Sequence, residues 1–102
     1  GDLGIYGKAI FKDYLKEKYN IILDNYDDAG PILYGDNKKM YAGGSGPACL
    51  PLISYGYVFD KLKKKEYKKV LLIATGALHS VSMCNLKKTI PAVAHAISLE
   101  VI

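Results

Sequence analysis

The sequence contains no arginine and only two cysteines among its 102 residues. Without arginine, the chain lacks the planar fork that proteins most often use to bind phosphates and base edges, so its net charge of +4 is a weak indication of a nucleic-acid partner. The basic excess lies mostly in residues 61–69, and a solvated helix end explains such a run equally well. Cys49 and Cys84 are too few for a disulfide framework and do not have the spacing of a metal site.

The first residues of this sequence do not show the charged segment followed by an apolar one that is typical of a secretion signal, so no signal peptide is expected in this part of the protein. The longest stretch without a charge, residues 41–59, is long enough to test as a membrane span. It contains four glycines and two prolines, and its first third is typical of a loop. We therefore predict a buried helix there and no transmembrane segment. The chain begins at Gly1 without an initiator methionine, and we expect it to be a piece of a longer protein.

The composition is that of a folded domain: half of the residues are hydrophobic and 24% are charged, which excludes disorder. The length allows one domain. Apolar residues at helical spacing predict an amphipathic helix over residues 4–18, and a turn-rich loop follows at 24–30. The short apolar runs 31–34 and 40–42 predict two strands, joined by a hairpin at the turn-forming residues 35–37.

The second half of the chain predicts one central helix and further strands. A helix over residues 47–59 is apolar on nearly all sides, so we expect it to be buried on every side. The apolar run 70–74 is typical of a central strand covered on both faces. A long loop over residues 76–91 precedes residues 94–102, which alternate as a strand does. The pattern indicates an α/β or α+β fold whose central helix needs a partner surface.

The strongest local feature is the glycine-rich segment 43–49, which reads GGSGPAC. Glycines before a helix leave backbone N–H groups pointing outward at the positive end of the helix dipole, which suits a carboxylate or another anion. Three specific motifs fail here. A dinucleotide fingerprint needs glycine at position 49, a nucleophile elbow needs glycine at position 47, and a phosphate loop needs Gly-Lys-Ser/Thr. Anion binding and a purely conformational role of the glycines both stay open.

The second candidate segment is 74–80 (ATGALHS), at the C-terminal end of the predicted central strand, where ligands gather in α/β sheets. His79 could serve as a base or as a carboxylate partner, although a lone loop histidine is more often a polar surface group. His95 lies in an apolar stretch, which predicts a hydrogen-bonded core histidine. Ser45, Asp60 and His79 follow the chain order of one hydrolase triad, but Asp60 falls where the predicted helix turns polar.

Five motifs occur along the chain in an order that resembles one known family. They are GDLG at 1–4, DDAGPILY at 27–34, YAGGSGPAC at 41–49, KKVLLIATGALHS at 68–80 and TIPAVAHAISLE at 89–100. Together they resemble the C-terminal part of the stage V sporulation protein AD family. The resemblance implies an α/β fold that is the C-terminal half of a thiolase-like fold, with a buried helix packed on a mixed sheet. Residues 1–102 would form one half-domain, and the family's N-terminal half would supply a second buried helix.

The resemblance also implies a function in endospore formation. The family takes part in moving dipicolinic acid, as its calcium chelate, into the developing spore. It acts as a soluble, dipicolinate-binding component of a channel complex. This implies dipicolinic acid as the ligand, other stage V sporulation channel proteins as partners, and a location in the forespore or spore, peripheral to the inner membrane. Thiolase-like proteins commonly dimerise, so a homodimer is expected of the full-length protein.

The resemblance leaves the question of enzyme activity open, and the residues favour a binding protein. Thiolases and ketoacyl synthases carry their nucleophilic cysteine in the N-terminal half, and Cys49 is not its counterpart. They place a His or Asn at the start of the loop that matches Gly43 and Gly44, and thiolases place a cysteine near Ala74. Glycine and alanine cannot transfer a proton. The alternative, an acyltransferase or condensing enzyme, requires a nucleophilic cysteine upstream.

The predicted ligand site is a cleft in which the start of a helix meets the end of a strand. Its residues are Gly43, Gly44, Ser45, Gly46, Thr75, Gly76 and His79. In a chain without arginine, backbone amides are the expected holders of a planar aromatic dicarboxylate. We predict no catalytic residue, no metal site and no cofactor in this chain. We also expect an exposed apolar face, because the helix over 47–59 has more apolar perimeter than these few strands can cover.

Overall fold

The computed structural model of the chain describes residues 2–35, 37–43, 48–77, 82 and 85–102. In chain order its elements are helix α1 (Gly4–Tyr19), helix α2 (Ala29–Tyr34), a 3₁₀ turn (Lys38–Met40), helix α3 (Cys49–Ile53), a π-helical segment (Ser54–Val58), helix α4 (Phe59–Lys63), strand β1 (Lys69–Ala77) and strand β2 (Ala92–Glu100). Helices pack on a small antiparallel sheet in an α/β fold, which confirms the predicted α/β class, while the thiolase-like assignment stays a prediction.

Helix α1 forms where the apolar periodicity predicts it, and both of its ends are stabilised. At its start, Asp28 Oδ1 accepts a hydrogen bond from the N–H of Leu3 at 2.7 Å, and Asp28 Oδ2 accepts one from the N–H of Gly4 at 2.9 Å. At its end, Asn20 adopts the left-handed conformation (φ 54°), and its N–H donates to the carbonyl of Lys16 at 3.1 Å. A distant carboxylate therefore takes the part of an N-cap residue.

The predicted hairpin of two short strands, 31–34 and 40–42, is wrong. The first run lies in α2, and the second lies in and just after the 3₁₀ turn. Asp28 caps α2, because its side chain accepts a hydrogen bond from the N–H two residues on at 3.0 Å. Pro31 lies in the first turn, where its missing N–H is not needed, and Gly35 ends the helix with a φ of +56°. Capping outweighs the apolar runs here.

The central helical segment, residues 49–63, consists of α3, the π-helical segment and α4 without a break. It confirms, for the residues described, the helix that was predicted to be apolar over 47–59 and charged beyond Phe59, and it ends at Lys63. As expected of a helix that needs a partner surface, the segment is not covered on every side within this chain, since Tyr55 is 71% exposed and Leu52 is 57% exposed. Its buried residues follow one side of the helix and are Cys49, Ile53, Ser54 and Val58.

The two strands form an antiparallel pair in which Lys69 lies opposite Glu100 and Ala77 lies opposite Ala92. Strand β1 contains the predicted strand 70–74 and continues into what was predicted as the loop 76–91. Strand β2 confirms the last predicted strand, with bounds shifted toward the N-terminus by two residues. The extension of β1 to Ala77 and the start of β2 at Ala92 have one cause, because each residue that joins one strand gains a hydrogen-bonding partner on the other.

The two faces of the sheet have different surroundings. Val70 and Leu72 are partly buried and pack against the cluster formed by the central helical segment and α2. Leu71 and Ile73 point to the opposite face, where they are 61% and 38% exposed. The strand is therefore covered by the helices on one face only, whereas an uninterrupted apolar run predicts cover on both.

The chain exposes more surface than a protein of its size usually does. Its accessible surface is 7923 Å², whereas about 5,700 Å² is typical of a monomer of this mass. Its radius of gyration is 15.1 Å, against about 13 Å for a compact domain of this length. Leucine, isoleucine and tyrosine side chains contribute to the exposed surface, as the expectation of an exposed apolar face requires.

Candidate functional site

Gly43, the first residue of the predicted ligand site, lies against the start of α1. Its φ is +80°, a conformation that side-chain-bearing residues rarely adopt. A Cβ atom at this position would lie 2.9 Å from the carbonyl oxygens of Asp2 and Leu3. Gly4 has a φ of +76°, and a Cβ on it would collide with the carbonyl oxygen of Tyr41 and the backbone nitrogen of Gly43. Two glycines thus allow two stretches of backbone to touch.

Tyr6 and Tyr41 hold the same two stretches together. The N–H of Tyr6 donates a hydrogen bond to the carbonyl of Tyr41 at 3.3 Å. The two tyrosine rings meet edge to face, with their centroids 5.8 Å apart. The chain immediately before the glycine-rich segment is therefore fixed to the first turn of α1.

Thr75 and Gly76 lie near the C-terminal end of β1, as predicted. They pair with Ala94 and Val93 of β2, and a Cβ on Gly76 would lie 3.7 Å from the Val93 side chain. The remaining predicted site residues, Gly44, Ser45, Gly46 and His79, lie outside the described residues. The described neighbours of Gly43 belong to residues 2–4, so the convergence of the glycine-rich segment and the strand end into one cleft stays a prediction.

Sequence reasoning missed an apolar cavity of about 230 Å³ between the central helical segment and the sheet. Leu50, Tyr55 and Phe59 line it from the helical side, and Leu72, His95 and Ile97 are among the residues that line it from the sheet. The alternation in β2 places His95 and Ile97 on one face, but the pairing that sets Leu72 opposite Ile97 cannot be read from the sequence. This lining suits hydrocarbon or an aromatic ring better than a carboxylate.

The prediction that His95 is a hydrogen-bonded core histidine is wrong. It lies on β2 opposite Ala74, and it is exposed at the edge of the cavity. The apolar neighbours that suggested burial are themselves largely exposed, since Leu99 is the one residue of β2 that is partly buried and the described helices cover little of this strand.

The lysine-rich run is a solvated helix end. Lys64 forms an ion pair with Asp60 at 3.0 Å, and Lys61 forms one with Glu66 at 2.6 Å, all four side chains being substantially exposed. The hydrogen bond to the Glu66 carboxylate raises the pKa of the Lys61 amine above its usual value. Asp60 is thus an exposed partner of a lysine, which is not the environment of a buried carboxylate that orients a catalytic histidine.

The described part of the chain shows neither a cluster of metal ligands nor a membrane-spanning helix. Within residues 2–35, 37–43, 48–77, 82 and 85–102, no three His, Cys, Asp or Glu side chains are grouped as metal ligands would be. No helix in that part of the chain combines the length and the apolar character that crossing a bilayer requires.

Comparison with known proteins gives a consistent result. The family model described as stage V sporulation protein AD matches residues 1–100. The stage V sporulation protein AD of Bacillus subtilis (strain 168) is 39% identical to this chain over 100 residues. The aligned region is 98% of this chain and 30% of that protein, so the chain spans less than a third of the length of this curated relative. The chain belongs to the stage V sporulation protein AD family.

Proposed function

We propose that this chain contributes a binding site for dipicolinic acid, taken up as its calcium chelate into the forespore. Membership of a family of sporulation proteins supports the setting. The geometry of Gly43 is the observation that supports a carboxylate ligand. It begins the GGSG segment in a positive-φ conformation, with its backbone fixed against α1, a few residues before the central helical segment. Backbone amides held in this way before a helix are suited to a carboxylate.

The chemistry of the ligand matches the groups that the chain offers. Dipicolinate is a planar aromatic ring with two carboxylates, and the chain has no arginine with which to clamp them. The amides of residues 43–46 and the Ser45 hydroxyl would bind one carboxylate. Thr75, Gly76 and His79, at the end of β1, would bind the other or its bound cation. Hydrogen bonds to an ionised carboxylate are about twice as strong as neutral ones.

The same residues favour binding over catalysis. The positions at which the resemblance to thiolases expects a proton-transferring group hold Gly43, Gly44 and Ala74. A thiolase-like scaffold would thus serve as a receptor for a ligand, since a fold does not fix a function. The exposed side of the central helical segment supports that scaffold, because Leu52 and Tyr55 offer a surface to a second packed layer.

The setting in the cell is part of the same proposal. The chain would act with other stage V sporulation channel proteins, peripheral to the inner membrane of the forespore, and the complete protein would form a homodimer. These points rest on the family, on the exposed large apolar side chains, and on a total accessible surface that is larger than is typical of a monomer of this mass.

Isothermal titration of the complete gene product with dipicolinate tests the proposal. The wild type is expected to bind dipicolinate. The double variant Ser45→Ala/His79→Ala is expected to bind at least about tenfold more weakly, because each of its two substitutions removes a hydrogen bond to a charged group. The control Ser98→Ala removes a hydroxyl from an exposed position on β2 that does not line the cavity, and it should bind as the wild type does. Unchanged affinity in the first variant would remove Ser45 and His79 from the site, and absence of binding by the wild type would overturn the function.

A further inference from the structure

Asp28 binds three backbone N–H groups from two parts of the chain. Its Oδ1 accepts from Leu3 at 2.7 Å, and its Oδ2 accepts from Gly4 at 2.9 Å and from Gly30 at 3.0 Å. All three hydrogen bonds are partly buried. One carboxylate therefore joins the start of α1 to the start of α2, where its negative charge also complements the helix dipoles.

Gly4 carries this restraint to the glycine-rich segment. On one side its N–H is held by Asp28. On the other side its Cα faces the carbonyl of Tyr41 and the nitrogen of Gly43 so closely that no side-chain atom fits between them. A shift of Gly4 therefore moves the backbone that it touches, because close-packed backbone transmits displacement.

We propose that Asp28 is a positioning residue for the ligand site, which acts through Gly4 to fix the backbone of Gly43. The inference rests on the proposed function, because the ligand of the glycine-rich segment is dipicolinate there. Amides that must point together at a carboxylate bind it more weakly when their segment is correctly placed for only a fraction of the time. Asparagine at position 28 would retain a single carbonyl acceptor and would place an NH₂ group against backbone donors.

Neighbouring residues supply matched controls. Asp27 precedes Asp28 and is half exposed, with an ion pair to Lys8 at 3.0 Å and a contact to the N–H of Asp28 that asparagine would preserve through its own Oδ1. Gly35 shares the positive φ of Gly4 but has nothing within 4 Å of a Cβ. Asp28→Asn is therefore compared with Asp27→Asn, and Gly4→Ala with Gly35→Ala.

The experiment combines hydrogen exchange with dipicolinate titration in the complete gene product. Asp28→Asn and Gly4→Ala are expected to speed amide exchange in the peptide that covers residues 41–43. Both should weaken dipicolinate binding by about tenfold or more. Asp27→Asn and Gly35→Ala are expected to leave that exchange and the affinity within about twofold of the wild type.

The outcomes separate the two proposals. If Asp28→Asn speeds exchange at residues 3, 4 and 30 but not at 41–43, the link to Gly43 is overturned. If exchange at 41–43 rises and the wild type binds dipicolinate, unchanged affinity in Asp28→Asn overturns the positioning role. A wild type that does not bind dipicolinate refutes the proposed function, while the exchange data still decide whether Asp28 fixes Gly43. Should Asp28→Asn fail to fold, Gly4→Ala gives the same decision with the carboxylate in place.

Discussion

Leu71 and Leu72 are neighbours on β1 that face opposite sides of the sheet, and replacing each by alanine tests the packing described above. Leu72 is partly buried, lies against the helical cluster and lines the cavity. Leu71 is 61% exposed on the other face. The two substitutions remove the same atoms from the same strand, so the loss of strand propensity is common to both. The difference between the two losses in free energy of unfolding therefore measures how well each leucine is packed.

The magnitude follows from burial. Replacing a fully buried leucine by alanine lowers the free energy of unfolding by about 2–5 kcal/mol. Leu72 is only partly buried and already borders a cavity, so about 1.5–2 kcal/mol is expected at that position. Leu71 is largely in water, so its replacement should change stability by no more than about 0.5 kcal/mol.

Urea denaturation followed by far-ultraviolet circular dichroism measures both values. With a denaturant dependence of about 2 kcal/mol per molar urea, the midpoint of Leu72→Ala should lie roughly 0.5–1 M below that of Leu71→Ala. Equal losses, or a greater loss for Leu71→Ala, would refute the assignment of the packed face. In that case the uncovered face of the sheet would have to be packed in solution.

Three further predictions concern the surface and the core. Glu66→Gln should lower the pKa of the Lys61 amine toward its usual value, as read from lysine side-chain NMR shifts. Because that pKa is raised in the folded state, the ion pair stabilises the fold fully below the ordinary lysine pKa, and this stabilisation is lost as the pH rises through the raised value. A pKa of Lys61 that does not change in Glu66→Gln would show that the ion pair does not form. In a Cys84→Ser variant, the buried thiol of Cys49, 3% exposed, should react with Ellman's reagent only as the chain unfolds, and rapid reaction of the native chain would contradict its burial. The isolated chain should enhance the fluorescence of an apolar dye such as ANS, whereas a monodisperse monomer that binds no dye would contradict the exposed apolar face.

The elements that the sequence predicted correctly are those with a strong local signal. The apolar residues of α1 recur at helical spacing over four turns, and the apolar run of β1 is bounded by lysines on one side. Neither assignment needed information from another part of the chain. Helix α2 shows the opposite case, because Asp28, Pro31 and Gly35 form a complete set of helix signals around six residues, of which a count of apolar side chains assigns the last four to a strand.

Contacts between distant residues could not be predicted in the same way. The hydrogen bonds from residues 3 and 4 to Asp28 span 25 and 24 residues. The close contact of Gly4 with Gly43 depends on where the start of α1 meets a segment about 40 residues further along the chain. The motif GDLG marks the first glycine, and GGSG marks the second, but nothing in their spacing indicates that they touch. The same holds for His95, whose exposure depends on the lack of cover over β2.

The candidate site was predicted from residue types, and three of its residues, Gly43, Thr75 and Gly76, lie in the described part of the chain. Gly43 has the backbone freedom for which glycine was invoked, and Thr75 and Gly76 lie at the strand end where they were expected. Asp28, which the sequence placed in a loop, is the residue that connects this geometry to the rest of the fold. The sequence signal for this residue was an aspartate at the position just before a helix, where aspartate is a preferred N-cap residue.

We propose that the amides of residues 43–46 with Ser45 bind one carboxylate of dipicolinate and that the end of β1 binds the other, and one pair of titrations is a direct test. The complete gene product is titrated by calorimetry with pyridine-2,6-dicarboxylate and, separately, with pyridine-2-carboxylate, which has the same ring and one carboxylate fewer. The dicarboxylate is expected to bind at least about tenfold more tightly, because the monocarboxylate lacks the second ionised group and the hydrogen bonds made to it. Equal affinities for the two ligands, or no binding of the dicarboxylate, would contradict it.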